Sequence, residues 1–167
     1  MPFTTLWLDG NHENFNLIEQ YEVTEWHGGR VQYMRPHVIH LMRGQIYDIY
    51  NHSFFVMGGA TSIDRAHRTP NISWWEQEMP TYEEMNEGFK NLEQHNFCVG
   101  YVLTHCAPTR FLGDIFKGTW FDTDPLNRYL NQIEQKLTYK KWYFGHYHID
   151  KSGEKWQALY DDVIEIA

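Results

Sequence analysis

Apolar residues fall along this chain in two rhythms, and each rhythm predicts an element. The opening run Phe3-Thr4-Thr5-Leu6-Trp7-Leu8 is continuous, partly β-branched and short, and Asp9-Gly10 halts it. That is the pattern of a buried strand entering a tight turn. Residues 15–21 predict a short helix. From 31 to 59 the clusters VIHLM, IYDIY and FFVMGG are separated by RGQ and NHS, which predicts successive antiparallel strands with short connections. Residues 60–80 have no clean period and carry Pro70, Pro80, Trp74 and Trp75, the signature of a long loop or lid packed by its tryptophans. A helical rhythm begins at Thr81. Thr81 and Glu84 are spaced as a capping box, and Tyr82, Met85, Phe89 and Leu92 recur on one face, so a helix is expected to end near Asn96. VGYVLTH then reads as a buried strand. After an irregular stretch, 106–122, Asp124 and Pro125 supply an N-cap and first-turn residue for a helix striped by Leu126, Leu130, Ile133 and Leu137. KKWYFGHYH predicts a strand running into a loop, and two short strands, at 156–160 and 163–166, are expected to close the domain. The alternation of strands with two crossover helices gives a single α/β domain over residues 1–167.

Composition narrows this reading. With 42% hydrophobic and 17% aromatic residues, 167 residues can bury one sizeable core. Lys and Arg total 14 against 22 Asp and Glu, a net charge of −8, so no broad nucleic-acid face is expected. A small local anion site stays compatible with that charge. No apolar run approaches the roughly 20 residues of a membrane span, and Met1 is not followed by a basic and then apolar leader. A cytoplasmic protein without a membrane partner is the expectation. Cys98 and Cys106 form no C-x-x-C pair and are read as small buried residues of a reducing compartment.

The chemistry lies where strands end. TTLWLDGNH, VGYVLTH and KWYFGHYH each finish in a histidine-bearing turn, and in α/β architectures ligands gather beyond the carboxyl ends of strands. Convergence of these turns would bring Asn11, His12, His105, His146 and His148 into one crevice. Four imidazoles and an amide oxygen suit Zn²⁺, Mn²⁺ or Fe and exceed what a simple acid–base site needs. Gly10 and Gly145 allow the sharp turns that present the next side chain. Taken singly, a histidine is a hydrogen-bonded structural residue more often than a ligand, and His27, His37, His40, His52 and His95 are read so.

At these same residues the sequence resembles the calcineurin-like metallophosphoesterases, whose pattern runs D-x-H, G-D-x-x-D, G-N-H-[DE], a strand-end histidine and G-H-x-H. GNHE at 10–13, THCAP at 104–108 and GHYH at 145–148 match the last three blocks in order. GGATSIDR at 58–65 and WWEQEMP at 74–80 look like a bacterial and phage branch of the family. The resemblance implies a metallophosphoesterase-like β-sandwich flanked by helices. It also implies that Asn11, His105 and His146 ligate one metal of a dinuclear pair of Mn²⁺, Fe or Zn²⁺ ions, and that His148 ligates the other. His12 would be catalytic, protonating or stabilising the leaving oxygen, with Glu13 behind it orienting the ring. Arg65 and His67, in the lid, are candidates to bind the substrate phosphate, whether of a small phosphoester or a nucleotide.

D-x-H and G-D-x-x-D occur nowhere in the 167 residues. In the family those blocks supply the first metal's Asp and His and the bridging aspartate. The chain therefore reads as the C-terminal two-thirds of such a domain, N-terminally truncated. It is expected to hold at most one ion weakly, to self-associate or to take an N-terminal fragment in trans. Asp9, Asp64 and Asp114 have no spacing that marks them as replacements. Three readings are open: a phosphoesterase of mono- or diesters, incomplete in this chain; a non-catalytic remnant serving as a binding or interaction module; and a mononuclear zinc hydrolase using His105, His146 and His148, which lacks an identifiable carboxylate base.

Overall fold

The structure is a computed structural model that describes residues 3–117 and 123–166. Strands β1 (Thr5–Trp7), β2 (Val23–Trp26), β3 (Gly29–Arg35) and β4 (Val38–Leu41) form one sheet in the order β1-β4-β3-β2. Here β2, β3 and β4 run antiparallel, and β1 lies parallel to β4 with Leu6 opposite Ile39. The β2–β3 turn is His27-Gly28, both at positive φ, as a two-residue hairpin matched to strand twist requires. Strands β5 (Gln45–Ile49), β6 (His52–Met57), β7 (Tyr101–Thr104), β8 (Lys141–Phe144), β9 (Lys151–Ser152) and β10 (Trp156–Ala158) form the second sheet, ordered β5-β6-β7-β8-β10-β9. Its four central strands, β6, β7, β8 and β10, are parallel neighbours.

Parallel neighbours need crossovers, and the helices supply them. Helix α1 (Phe15–Ile18) is a single turn after β1. Between β6 and β7 runs α2 (Tyr82–Gln94), opened by a complete capping box between Thr81 and Glu84. Between β7 and β8 come α3 (Thr109–Ile115) and α4 (Pro125–Glu134), the latter boxed by Asp124 and Asn127 with proline in its first turn. Leu126, Leu130 and Ile133 of α4 are fully buried in a core with Phe55, Val102 and Trp142 of the second sheet. Truncating any of the three to Ala is expected to cost about 2–5 kcal/mol. On the sheet's other face Tyr47 and Val56 pack on Val31, Ile39 and Leu41 of the first sheet. The layers are thus sheet, sheet and helices, a mixed α/β arrangement. No helix among the described residues is long and apolar enough to cross a membrane.

Several sequence expectations need correction. Between 31 and 59, β3 pairs antiparallel with β4 and β5 with β6, as expected, but β4 and β5 belong to different sheets, so the run is two hairpins and not one succession. The stretch 106–122 contains α3, a helix too short to show a clear period; its residues 118–122 lie outside those described. No strand forms at 163–166. The short helix ends at Ile18 rather than Tyr21. Cys106 is buried, but Cys98 is exposed. In the 60–80 segment Trp75 is buried and Trp74 half-buried, and two 3-10 turns, Arg65–His67 and Glu76–Glu78, give that loop its shape.

Candidate functional site

Because β6, β7, β8 and β10 are parallel neighbours, their carboxyl ends share one edge. Backbone bonds continue past the strands and lace the turns beyond them together. Gly59 N–H donates to Asp9 O (2.9 Å), His105 N–H to Met57 O (3.2 Å), Gly145 N–H to His105 O (3.0 Å) and Leu159 N–H to Phe144 O (2.9 Å). Beyond this edge opens a cleft of about 980 Å³, lined by Asn11, His12, His105, His146 and His148 together with Asp64, Asp124, Tyr147 and Tyr160. The structure therefore brings the three histidine-bearing turns to one place.

Within the cleft, His105 Nε2 lies 2.9 Å from Asn11 Oδ1, and the His105 and His146 rings meet edge to face with centroids 5.1 Å apart. A side chain on Gly10 would press against the His105 ring, so the glycine permits the close approach. His148 stacks on Tyr160, 4.8 Å between centroids. His146 and His148 both hold positive φ, 66° and 50°, a conformation non-glycine residues keep only where their surroundings impose it. Burial pushes His105 down to about 4, helped by the neighbouring His146 and His12 and opposed by Asp9. Burial also lowers His146, against the pull of Asp124. Both rings are thereby held neutral at physiological pH, the form in which imidazole ligates a metal.

Beneath the cleft lies a polar network that sequence reading missed. Asp9 is fully buried and accepts from Arg43 Nε (2.9 Å), Arg43 Nη2 (2.6 Å) and His40 Nε2 (3.1 Å). The guanidinium and imidazole outweigh burial and hold its carboxyl below the usual range. Gly58 faces that carboxylate so closely that any side chain there would overlap it. Asn11 Nδ2 donates to Ser62 Oγ (3.0 Å), and Ser62 in turn donates to the buried Glu78. These contacts span 16 to 51 residues of sequence, so no local pattern marks them; only two acidic residues beside apolar text, Asp9 and Glu78, could have prompted a search.

The remaining candidates fall differently. His12 is exposed at the cleft, its Nε2 3.3 Å from Asn11 Nδ2. Glu13 accepts from Gly10 N–H (3.3 Å), which braces the turn carrying His12 rather than the ring. Arg65 and His67 are exposed and do not line the cleft; Asp64 lines it instead, paired with Arg68 at 2.8 Å. Asp124, expected only as a helix cap, also lines it. His40, expected to be structural, is buried and hydrogen-bonded. A second cleft of about 460 Å³ is lined by Arg110, Lys151 and Lys155. Those cations are engaged by Glu134, the last carbonyls of α3 and the Tyr139 ring.

Two donors each about 2.1 Å from one ion stand about 3 Å apart, the spacing found between Asn11 Oδ1 and His105 Nε2. That spacing is compatible with Asn11 and His105 sharing one ion and is equally that of a hydrogen bond; His146 meets His105 ring to ring. Among the described residues no group of three or more His, Cys, Asp or Glu side chains stands close enough to hold an ion, so they do not assemble a closed shell for two. Compared with known proteins, the chain matches no family profile, no curated protein and no solved structure.

Proposed function

We propose that this chain carries the histidine side of a metal-dependent phosphoesterase site acting on phosphate mono- or diesters, small molecules or nucleotides. The observation that supports it is the pairing of Asn11 Oδ1 with His105 Nε2 at 2.9 Å, beside His146, at the aligned ends of parallel strands. Asn11, His105 and His146 would hold one divalent ion, Mn²⁺, Fe or Zn²⁺, and His148 a second. When bound, such ions supply charge against phosphoryl oxygens and make water a nucleophile at neutral pH. The protein's own part is distributed. Burial keeps His105 and His146 deprotonated, the Gly10 and Gly58 contacts fix the Asn11 turn, and His12 presents an exposed ring to the leaving oxygen as proton donor. Arg65 and His67 stand outside the cleft and have no step in this mechanism. The negative charge a metal pair needs would come from a segment bearing D-x-H and G-D-x-x-D, joined ahead of Met1 or supplied in trans.

Hydrolysis of p-nitrophenyl phosphate and bis-p-nitrophenyl phosphate with Mn²⁺, with metal counted per chain, tests this on the 167-residue chain and on a form extended by such a segment. The short chain is expected to hold at most one ion weakly and to turn over slowly, because two cations without a bridging anion repel each other. In the extended form, ion stoichiometry and turnover should rise together. There His12→Ala should lower turnover about 10²- to 10⁴-fold with metal retained, whereas His146→Ala should lose metal first. Equal metal loss in both variants would refute the division of roles. Saturable, metal-free binding of phosphoesters with no turnover in either form would identify a binding module instead.

A further inference from the structure

We infer that Glu78, acting through Ser62, fixes which way round the Asn11 amide is held and thereby sets the tautomer of His105. Glu78 and Ser62 are each 2% exposed, and neither lines the cleft. Glu78 Oε1 accepts from the Ser62 backbone N–H at 2.8 Å, and Glu78 Oε2 lies 2.6 Å from Ser62 Oγ. A serine hydroxyl has one proton to give. Two acceptors face it: the carboxylate at 2.6 Å and the Asn11 backbone carbonyl at 3.5 Å. The short contact has the length of a hydroxyl bonded to a carboxylate, so the proton goes to Glu78. Toward the Asn11 side chain, 3.0 Å away, Ser62 then offers only lone pairs.

Only an N–H can meet a lone pair at that distance, so the Asn11 nitrogen must face Ser62 and its oxygen must face His105. The reversed amide would set oxygen against oxygen in a buried position, which lowers its population roughly 10- to 100-fold. With Oδ1 toward His105 Nε2 at 2.9 Å, that ring nitrogen must carry the hydrogen in the metal-free chain; an ion held between the two would require that hydrogen to move to Nδ1. The second Asn11 amide hydrogen faces His12 Nε2 at 3.3 Å, so that nitrogen is the acceptor, and the proton that His12 would give a leaving oxygen is the one on Nδ1. A carboxylate outside the cleft therefore orients the amide and, through it, the His105 ring. Glu78 is a positioning residue, and its bearing on catalysis rests on the reading of Asn11 as a cation ligand.

The test is ¹⁵N–¹H NMR of the imidazoles in histidine-labelled, metal-free chain at pH 8, where His105 is neutral, followed by Mn²⁺ titration. Wild type should show the Nε2–H tautomer at His105. In Glu78→Gln the side-chain amide donates to Ser62 Oγ, the hydroxyl proton turns to Asn11, the Asn11 amide flips, and His105 should switch to Nδ1–H. Mn²⁺ affinity should fall about 10- to 100-fold, because the flipped amide turns its nitrogen, which has no lone pair for a cation, to the place that Oδ1 held. Ser62→Ala, which removes the lock without reversing it, should show both tautomers and serves if the first variant does not fold. An Nδ1–H tautomer in wild type, or an unchanged tautomer in Glu78→Gln, overturns the inference. A tautomer switch with Mn²⁺ affinity unchanged, or with no Mn²⁺ bound in any form, supports the positioning chain and overturns the cation reading.

Discussion

Beneath residues 9–11, polar side chains find their partners inside the protein: Asp9 with Arg43 and His40, Gln32 with His40, Asn11 with Ser62, and Ser62 with Glu78. Above them, at the cleft, His146 and His148 meet their neighbours through ring contacts with His105, Tyr147 and Tyr160, and among the described residues neither makes a side-chain hydrogen bond. Burial is heavier below and matching is closer there, as a low-dielectric interior demands. The difference separates two uses of polar groups. Matched ones specify the turn, and the rings of His146 and His148 meet the protein through their faces and edges.

The sharpest way to break this contrast is to unmatch the lower layer. Arg43→Met leaves Asp9 buried with His40 alone and should destabilise the fold by about 3–5 kcal/mol, read as a lower urea midpoint with an unchanged slope. A smaller loss, about 1–3 kcal/mol, is expected for Gly58→Ala, whose new methyl meets a carboxylate pinned on both sides. If that variant is as stable as wild type, the Asp9 packing is looser than described.

Acid probes the upper layer. His105 sits at about 4 in the fold against 6.5 in the unfolded chain, so the unfolded chain takes the proton first. Stability is fully present above about pH 6.5 and falls as pH drops toward 4, by on the order of 2–3 kcal/mol from this ring. Urea midpoints at pH 7, 5.5 and 4.5 should decline less steeply in His105→Gln. The smallest effect concerns backbone. His146→Gly places at φ 66° the residue that tolerates it, and should gain about 0.5–1 kcal/mol while losing bound metal. A loss of stability instead would mean that the imidazole packing outweighs the strain.

Much of this was legible along the chain, and the reason is local. Thr81 and Asp124 announce their helices through side chains that cap the next turn. The histidine turns are legible because an apolar run has to stop somewhere, and the residues next along the chain then sit at the strand's end. Partition into two sheets was not legible, since periodicity gives a strand's faces and never its neighbour. Nor was the burial of Asp9, Arg43 and Glu78, which depends on partners brought together only by the finished fold. The exposed Cys98 shows the same limit from the other side: a residue type that prefers burial stays outside where it forms an isolated bridge to Thr138 between elements.

Arg43 lies on the three-residue passage, Met42 to Gly44, that carries the chain from the first sheet into the second. Its guanidinium reaches Asp9, just beyond β1, and the Gln77 carbonyl. Sliding of one sheet over the other would drag this arm off the carboxylate, and would also break the bond from the Tyr47 hydroxyl to the Arg30 carbonyl. The joint between the layers and the floor of the cleft thus share one ion pair, so a change at the joint reaches the turn that carries Asn11.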